Sequence, residues 1–180
     1  MSGFTERTPS IIAGEINRIK GQMKKFLFID AMEIGRRLKE AKSIIPHDEW
    51  GRWVNEFVYY TERTAEIFMI LYDGYRDQES SFTIDGDHIQ IYSNSLAQKL
   101  SKLTASQALV LLGLPNKDRT KFLGAMDVEG MNVNELKRVI DQWKLVQQEV
   151  GKVIAERDQA RQDSEELRKE LDIEKGNSAQ

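Results

Sequence analysis

The chain of 180 residues carries 29 acidic and 26 basic side chains, a formal net charge of −3, no cysteine and 40% apolar residues. That length suits one domain of ordinary size, or a smaller domain with an appendage, and the apolar fraction is enough for a core. The missing cysteines exclude a disulfide frame and a thiolate metal site, as in a reducing cytoplasm, and the net negative charge makes the molecule as a whole a poor nonspecific polyanion binder, so a nucleic-acid role needs a local basic face.

The opening Met1-Ser2-Gly3-Phe4-Thr5-Glu6-Arg7 lacks the basic, then apolar, then small-residue order of a signal peptide, and no run of eighteen apolar residues follows. A cytoplasmic protein with no membrane partner is expected. Residues 1 to 8 are polar. From Pro9 or Ser10, Ile12, Ile16, Ile19, Met23, Phe26 and Leu27 recur every three or four residues, and Ile29, Ala31, Met32, Ile34, Leu38, Ala41 and Ile45 continue the pattern to Pro46. This is one long helix, or two with a break at Gly21 or Asp30. Between Arg18 and Lys42 eight basic residues (Arg18, Lys20, Lys24, Lys25, Arg36, Arg37, Lys39, Lys42) face three acidic ones (Asp30, Glu33, Glu40). They form either a solvated helix face, with Glu33 and Arg37 paired one turn apart, or a phosphate-gripping flank.

Trp50, Trp53, Val54 and Phe57 fall on one side of a short helix. A second helix begins almost at once, with Thr61 as its N-cap and Ala65, Phe68, Met69 and Leu71 as its apolar face. Two helices joined by about four residues have the spacing of a helix-turn-helix, whose second helix presents its first turn to the DNA major groove. Thr61, Glu62, Arg63, Thr64 and Glu66 would then be the readers, and small Ala65 would permit close helix approach. A hairpin built only for packing has the same spacing. Residues 51 to 80 also hold three basic side chains (Arg52, Arg63, Arg76) against six acidic ones (Glu56, Glu62, Glu66, Asp73, Asp77, Glu79), so the cations for phosphate must come from elsewhere.

Beyond a polar break at residues 76 to 81, Phe82 to Tyr92 alternates around Asp85-Gly86, which predicts a small β-hairpin, a wing or, by preference, a connector. Asp85 and Asp87 resemble the opening of a calcium loop without its closing glutamate. Residues 95 to 140 predict a compact helical unit. Thr104 with Gln107 forms a capping box, Gly113-Leu114-Pro115 ends that helix, another runs from about Lys117, and Asn132 with Glu135 forms a second box.

From Leu136 no helix breaker intervenes before Gly176 except Gly151. Leu136, Val139, Trp143, Val146, Val150, Val153, Arg157, Ala160, Ser164, Leu167 and Leu171 are spaced alternately by three and four. That is a heptad seam, and in a parallel pair Glu156 would meet Arg161 and Asp163 would meet Arg168 of the other copy. Arg157 and Ser164 weaken the distal half, so the dimer contact is expected at Leu136, Val139, Trp143, Val146, Val150 and Val153. The rivals are a solvated single helix and a tail folded back through Trp143 and Val146.

Chemistry is sparsely signalled. His47 and His88 are isolated, and no glycine-rich phosphate loop, nucleophile elbow or paired metal-ligand motif occurs. A non-enzyme without cofactor or metal is expected, with His47 a capping or surface residue.

Ile34-Gly35-Arg36-Arg37-Leu38-Lys39-Glu40-Ala41-Lys42, Pro46 to Trp53 and Arg63-Thr64-Ala65 resemble, over roughly residues 10 to 140, an uncharacterised domain family of bacteriophages and integrative or conjugative elements. Leu103 to Leu114 and Met131 to Leu136 are similar to the segment that follows the helix-turn-helix in ParB-type partition proteins. That second likeness implies helices buttressing the DNA-reading pair, without partition activity, since the upstream nucleotide-binding domain of those proteins has no counterpart.

The expected architecture is all-α: helices and helix-turn-helix over 1–75, a connector or β-hairpin over 76–94, a ParB-like helical segment over 95–135 and a coiled-coil tail over 136–175. The expected function is DNA binding by a homodimer that regulates or maintains a mobile element. Arg36, Arg37, Lys39, Lys42 and Arg52 would hold phosphates while Arg63 and Thr64 read bases. The alternative is an adaptor or inhibitor whose acidic hairpin engages a basic host protein.

Overall fold

The computed structural model describes residues 7–22, 27–76, 82–85, 88–91 and 95–177. It is an all-α protein with one two-stranded hairpin, in two units, Met1–Leu136 and Lys137–Gln180.

In the first unit the segment forms two helices rather than one, the second of the two expected alternatives: α1 (Pro9–Gln22) and α2 (Phe28–Ile44). The pattern residues Met23 and Phe26 and the basic Lys24 and Lys25 lie outside the described residues. Pro9 starts α1, where its missing amide is not needed, and Pro46 bars α2 from continuing. The predicted apolar positions Ile12, Ile16 and Ile19 of α1 and Ile29, Ala31, Met32, Ile34, Leu38 and Ala41 of α2 are all buried, as is Phe28, which the pattern leaves out.

Next come α3 (His47–Trp53), a π-turn (Val54–Val58) and α4 (Glu62–Tyr75). Trp50, Trp53 and Val54 are buried as expected, but Phe57 is 51% exposed and Val58 is fully buried in its place. The cause is local. The Tyr59 amide reaches back five residues to the Val54 carbonyl, and this wider turn moves the inward phase on by one residue. Thr61 caps α4 by accepting from the Thr64 amide at 3.2 Å, and Ala65, Phe68, Met69, Leu71 and Tyr75 form its buried face.

Strands β1 (Phe82–Asp85) and β2 (His88–Ile91) pair antiparallel with Phe82 opposite Ile91 and Asp85 opposite His88. The two residues joining them, Gly86 and Asp87, lie outside the described residues.

Helices α5 (Ser95–Ser101), α6 (Ala105–Leu111) and α7 (Asn116–Ala125) complete the unit beneath α4. Both predicted capping boxes form. Thr104 accepts from the Gln107 amide while Gln107 reaches the Thr104 amide, and Asn132 and Glu135 do the same at the start of α8 (Val133–Asn177). Tyr75 binds the two halves: its hydroxyl donates to the Ala108 carbonyl at 2.8 Å and its ring meets Phe28 edge-on at 4.8 Å. Buried Arg119 lies 4.4 Å from the Tyr75 ring centre and donates to the Gly74 and Leu114 carbonyls, so a guanidinium takes up acceptors that helix ends leave over.

The second unit consists of the helix from Lys137 onward. Leu136, the first residue of the predicted seam, belongs instead to the first unit and is fully buried there. Along the second unit Val146, Val150, Val153, Leu167 and Leu171 are exposed in the single chain.

Candidate nucleic-acid interface

Helix α3, continued by the π-turn Val54–Val58, and α4 form the candidate site, with Tyr59, Tyr60 and Thr61 between the π-turn and α4. Two features fix the turn. Tyr59 has φ of 58°, the left-handed conformation that ends a helix at some cost for a residue with a Cβ. From α1, the Lys20 amine donates to the Val58 carbonyl at 2.6 Å and lies 4.0 Å from the Tyr60 ring centre, while Asn17 donates to the Phe57 carbonyl at 2.8 Å. Burial pushes the Lys20 amine below and the Tyr60 phenol above their ordinary values, the latter to about 12.

α4 is held from behind. Gly35 of α2 brings the two helices so close that a Cβ there would meet the Phe68 carbonyl oxygen at 2.2 Å. Small Ala65 is fully buried, and Gly35 also permits close approach, a role that periodicity could not reveal because glycine adds no apolar signal.

The predicted readers divide. Thr61, Glu62, Arg63 and Glu66 are exposed and Thr64 is half-buried. The hydroxyls of Thr61 and Thr64 lie 2.9 Å apart and are engaged in capping. Glu62 leans across the turn, since a Cβ built on Gly51 would be 2.4 Å from its Oε1. Arg63 and Glu66 remain as outward side chains of the first turns, and Arg63 has no carboxylate partner among the described residues.

The predicted phosphate holders divide as well. Arg37 is only 11% exposed and is bonded to Glu15 at 2.7 Å and to Glu33. Arg36 pairs with Glu33 at 2.9 Å, and Lys39 pairs with Asp73 of α4. The Lys42 amine stands 5.3 Å from the Trp50 ring centre and Arg52 is exposed, neither with a carboxylate partner among the described residues. Arg7 extends the network by bonding both Glu15 and Glu40 at 2.5 and 2.7 Å. The basic run of α2 is thus largely neutralised, by Glu33 of its own helix and by Glu15 of α1 and Asp73 of α4, the last two far away in sequence.

Among the described residues no helix is long and apolar enough to cross a membrane. The chain belongs to the family described as "Protein of unknown function (DUF3102)", whose model matches residues 7–143. No curated protein and no solved structure matches it.

Proposed function

We propose that this DUF3102 member is a homodimeric DNA-binding protein of a phage or mobile element, with α3 and α4 as its helix-turn-helix. The observation that carries the reading is the exposed, Thr61-capped first turn of α4 on a helix whose opposite face is locked against α2. A recognition helix needs that combination: a rigid back and a free N-terminal turn. The packing of α6 and α7 beneath the C-terminal end of α4, through Tyr75 and Arg119, supports the buttressing role implied by the ParB-like segment.

Arg63 reads a base, while Lys42 and Arg52 supply the phosphate contacts. Arg36, Arg37 and Lys39 serve the fold, because each is bonded to a carboxylate. The second unit joins two copies in parallel through Val146, Val150 and Val153, with Glu156 to Arg161 and Asp163 to Arg168 across the pair. Two-fold symmetry then suits a palindromic site.

The test is fluorescence anisotropy with element-derived and random duplexes across a salt series. Two phosphate-holding cations per chain in a dimer set a log–log salt slope of roughly −4. Arg63→Ala should cost about 1–3 kcal/mol on the preferred sequence and relax its preference. Absence of binding by the folded dimer at low salt overturns the proposal.

A further inference from the structure

We infer that Tyr59 is a further DNA-contacting residue of the proposed interface: its hydroxyl donates to a backbone phosphate at the edge of the groove that α4 enters. This contact rests on the DNA reading and adds to it a neutral donor that charge counts and apolar periodicity do not mark.

Three observations carry it. First, the fold gains little from this side chain. The φ of 58° at Tyr59 lies in the left-handed region, where glycine is at ease and a residue with a Cβ is strained. The position nonetheless holds a large side chain that is 72% exposed and whose hydroxyl has no partner among the described residues. Strain at a residue that packs so little points to function, and α1 enforces it: Lys20 and Asn17 donate to the Val58 and Phe57 carbonyls at 2.6 and 2.8 Å. Second, the place suits backbone contact. Tyr59 stands two residues ahead of the Thr61 cap. In the helix-turn-helix mode the first helix crosses the DNA backbone and the second meets base edges with its N-terminal residues, so the turn between them lies at the phosphate rim. Third, the turn is cationic at short range and the interface is short of donors. The Lys20 amine, without a carboxylate partner among the described residues, lies 5.8 Å from the Tyr59 ring centre, whereas Arg36, Arg37 and Lys39 are each bonded to a carboxylate. A tyrosine hydroxyl is among the neutral donors that meet phosphate oxygens.

The test compares the full chain with Tyr59→Phe and Tyr59→Gly by anisotropy on the element-derived and random duplexes across the salt series. Tyr59→Phe keeps the ring and the backbone conformation and removes only the donor. It should weaken binding at least fivefold, by the same factor on both duplexes and with an unchanged salt slope, since a neutral hydroxyl displaces no counterion. Tyr59→Gly, which relieves the strain, should lose at least as much affinity although it melts no lower than the parent. Phosphates are then replaced one at a time by neutral methylphosphonates. At one position per half-site the effect of Tyr59→Phe should fall below twofold, a coupling that a merely structural tyrosine would not show. The inference is overturned, with the DNA reading left standing, if Tyr59→Phe costs less than fivefold, if its loss is confined to one duplex, if the loss persists at every methylphosphonate position, or if Tyr59→Gly binds as tightly as the parent. A folded parent that binds neither duplex at low salt overturns both.

Discussion

Gly35 and Phe68 are in backbone contact: a Cβ on Gly35 would lie 2.2 Å from the Phe68 carbonyl oxygen and 2.9 Å from the Cβ of Tyr72. Neither neighbour can swing aside, because one is main chain and the other the root of a side chain. Gly35→Ala should therefore separate α2 from α4, with a net loss of roughly 1–2 kcal/mol after the gain in helix propensity. Urea denaturation measures this, and a stabilised variant would show that the two helices are not held at this distance.

Gly51 looks alike in the sequence and behaves differently. The nearest atoms to its Cβ would be the carboxylate of Glu62, the far end of a flexible exposed side chain. Gly51→Ala should be neutral or stabilise by up to about 1 kcal/mol, because Glu62 can rotate away while the helix gains propensity. The same urea series tests it, and a loss comparable to that of Gly35→Ala would mean that the Glu62 contact supports the turn.

Those two glycines show where the sequence is informative. Caps are local, so Thr61, Thr104 with Gln107 and Asn132 with Glu135 are legible in the sequence alone, and the apolar stripes of α1, α2 and α4 follow from a period of 3.6. The π-turn is hidden there, because the spacing of Trp50, Trp53, Val54 and Phe57 fits an unbroken helix and only main-chain closure at Tyr59 shifts the phase. The candidate site is half legible. The position of α4 after its cap can be read, but Arg37 is engaged by Glu15, 22 residues away, and Lys39 by Asp73, 34 residues away. Such pairings depend on tertiary approach and leave no mark in local charge counts.

Tyr59 occupies the left-handed region with its side chain 72% exposed. Tyr59→Gly should remove the steric cost of about 1–2 kcal/mol and lose part of it to backbone entropy, for a net gain of roughly 0.5 kcal/mol. Tyr59→Val, branched at Cβ, should lose about 1–2 kcal/mol because the same backbone suits it worse. Melting temperatures of the three proteins in one buffer decide this: if Gly does not outrank Val, the turn is not the strained closure described.

The Arg7 guanidinium ties Glu15 on α1 to Glu40 on α2. At Glu15 burial pushes the carboxyl up, but hydrogen bonds from Arg7 and Arg37 outweigh it and the net shift is downward. At Glu40 the hydrogen bond from Arg7 holds the carboxyl below its usual range. A folded value below the unfolded one means stability that is present above the unfolded value of about 4.5 and is lost as pH falls through the folded one. Urea midpoints should therefore decline below about pH 4.5. Glu40→Gln should be less stable at pH 7 and show a shallower acid decline. An acid decline identical to the parent's would show that the clamp does not contribute.

Val146, Val150 and Val153 are exposed on one stripe of α8, and Leu145 and Ile154 border it. A second copy laid parallel would cover that stripe, and the flanking order of acidic and basic residues allows a test of direction as well as of association. Val150→Asp places a charge in the seam and should convert the dimer to monomer in sedimentation equilibrium, with the helicity of the first unit retained. Glu156→Arg should weaken a parallel pair, since it sets Arg against Arg161, and adding Arg161→Glu should restore it. An antiparallel pair, which brings like flanks together, would not be rescued by that double exchange. A mass unchanged by Val150→Asp would leave the seam without a partner copy and remove the two-fold symmetry from the proposed mode of DNA binding.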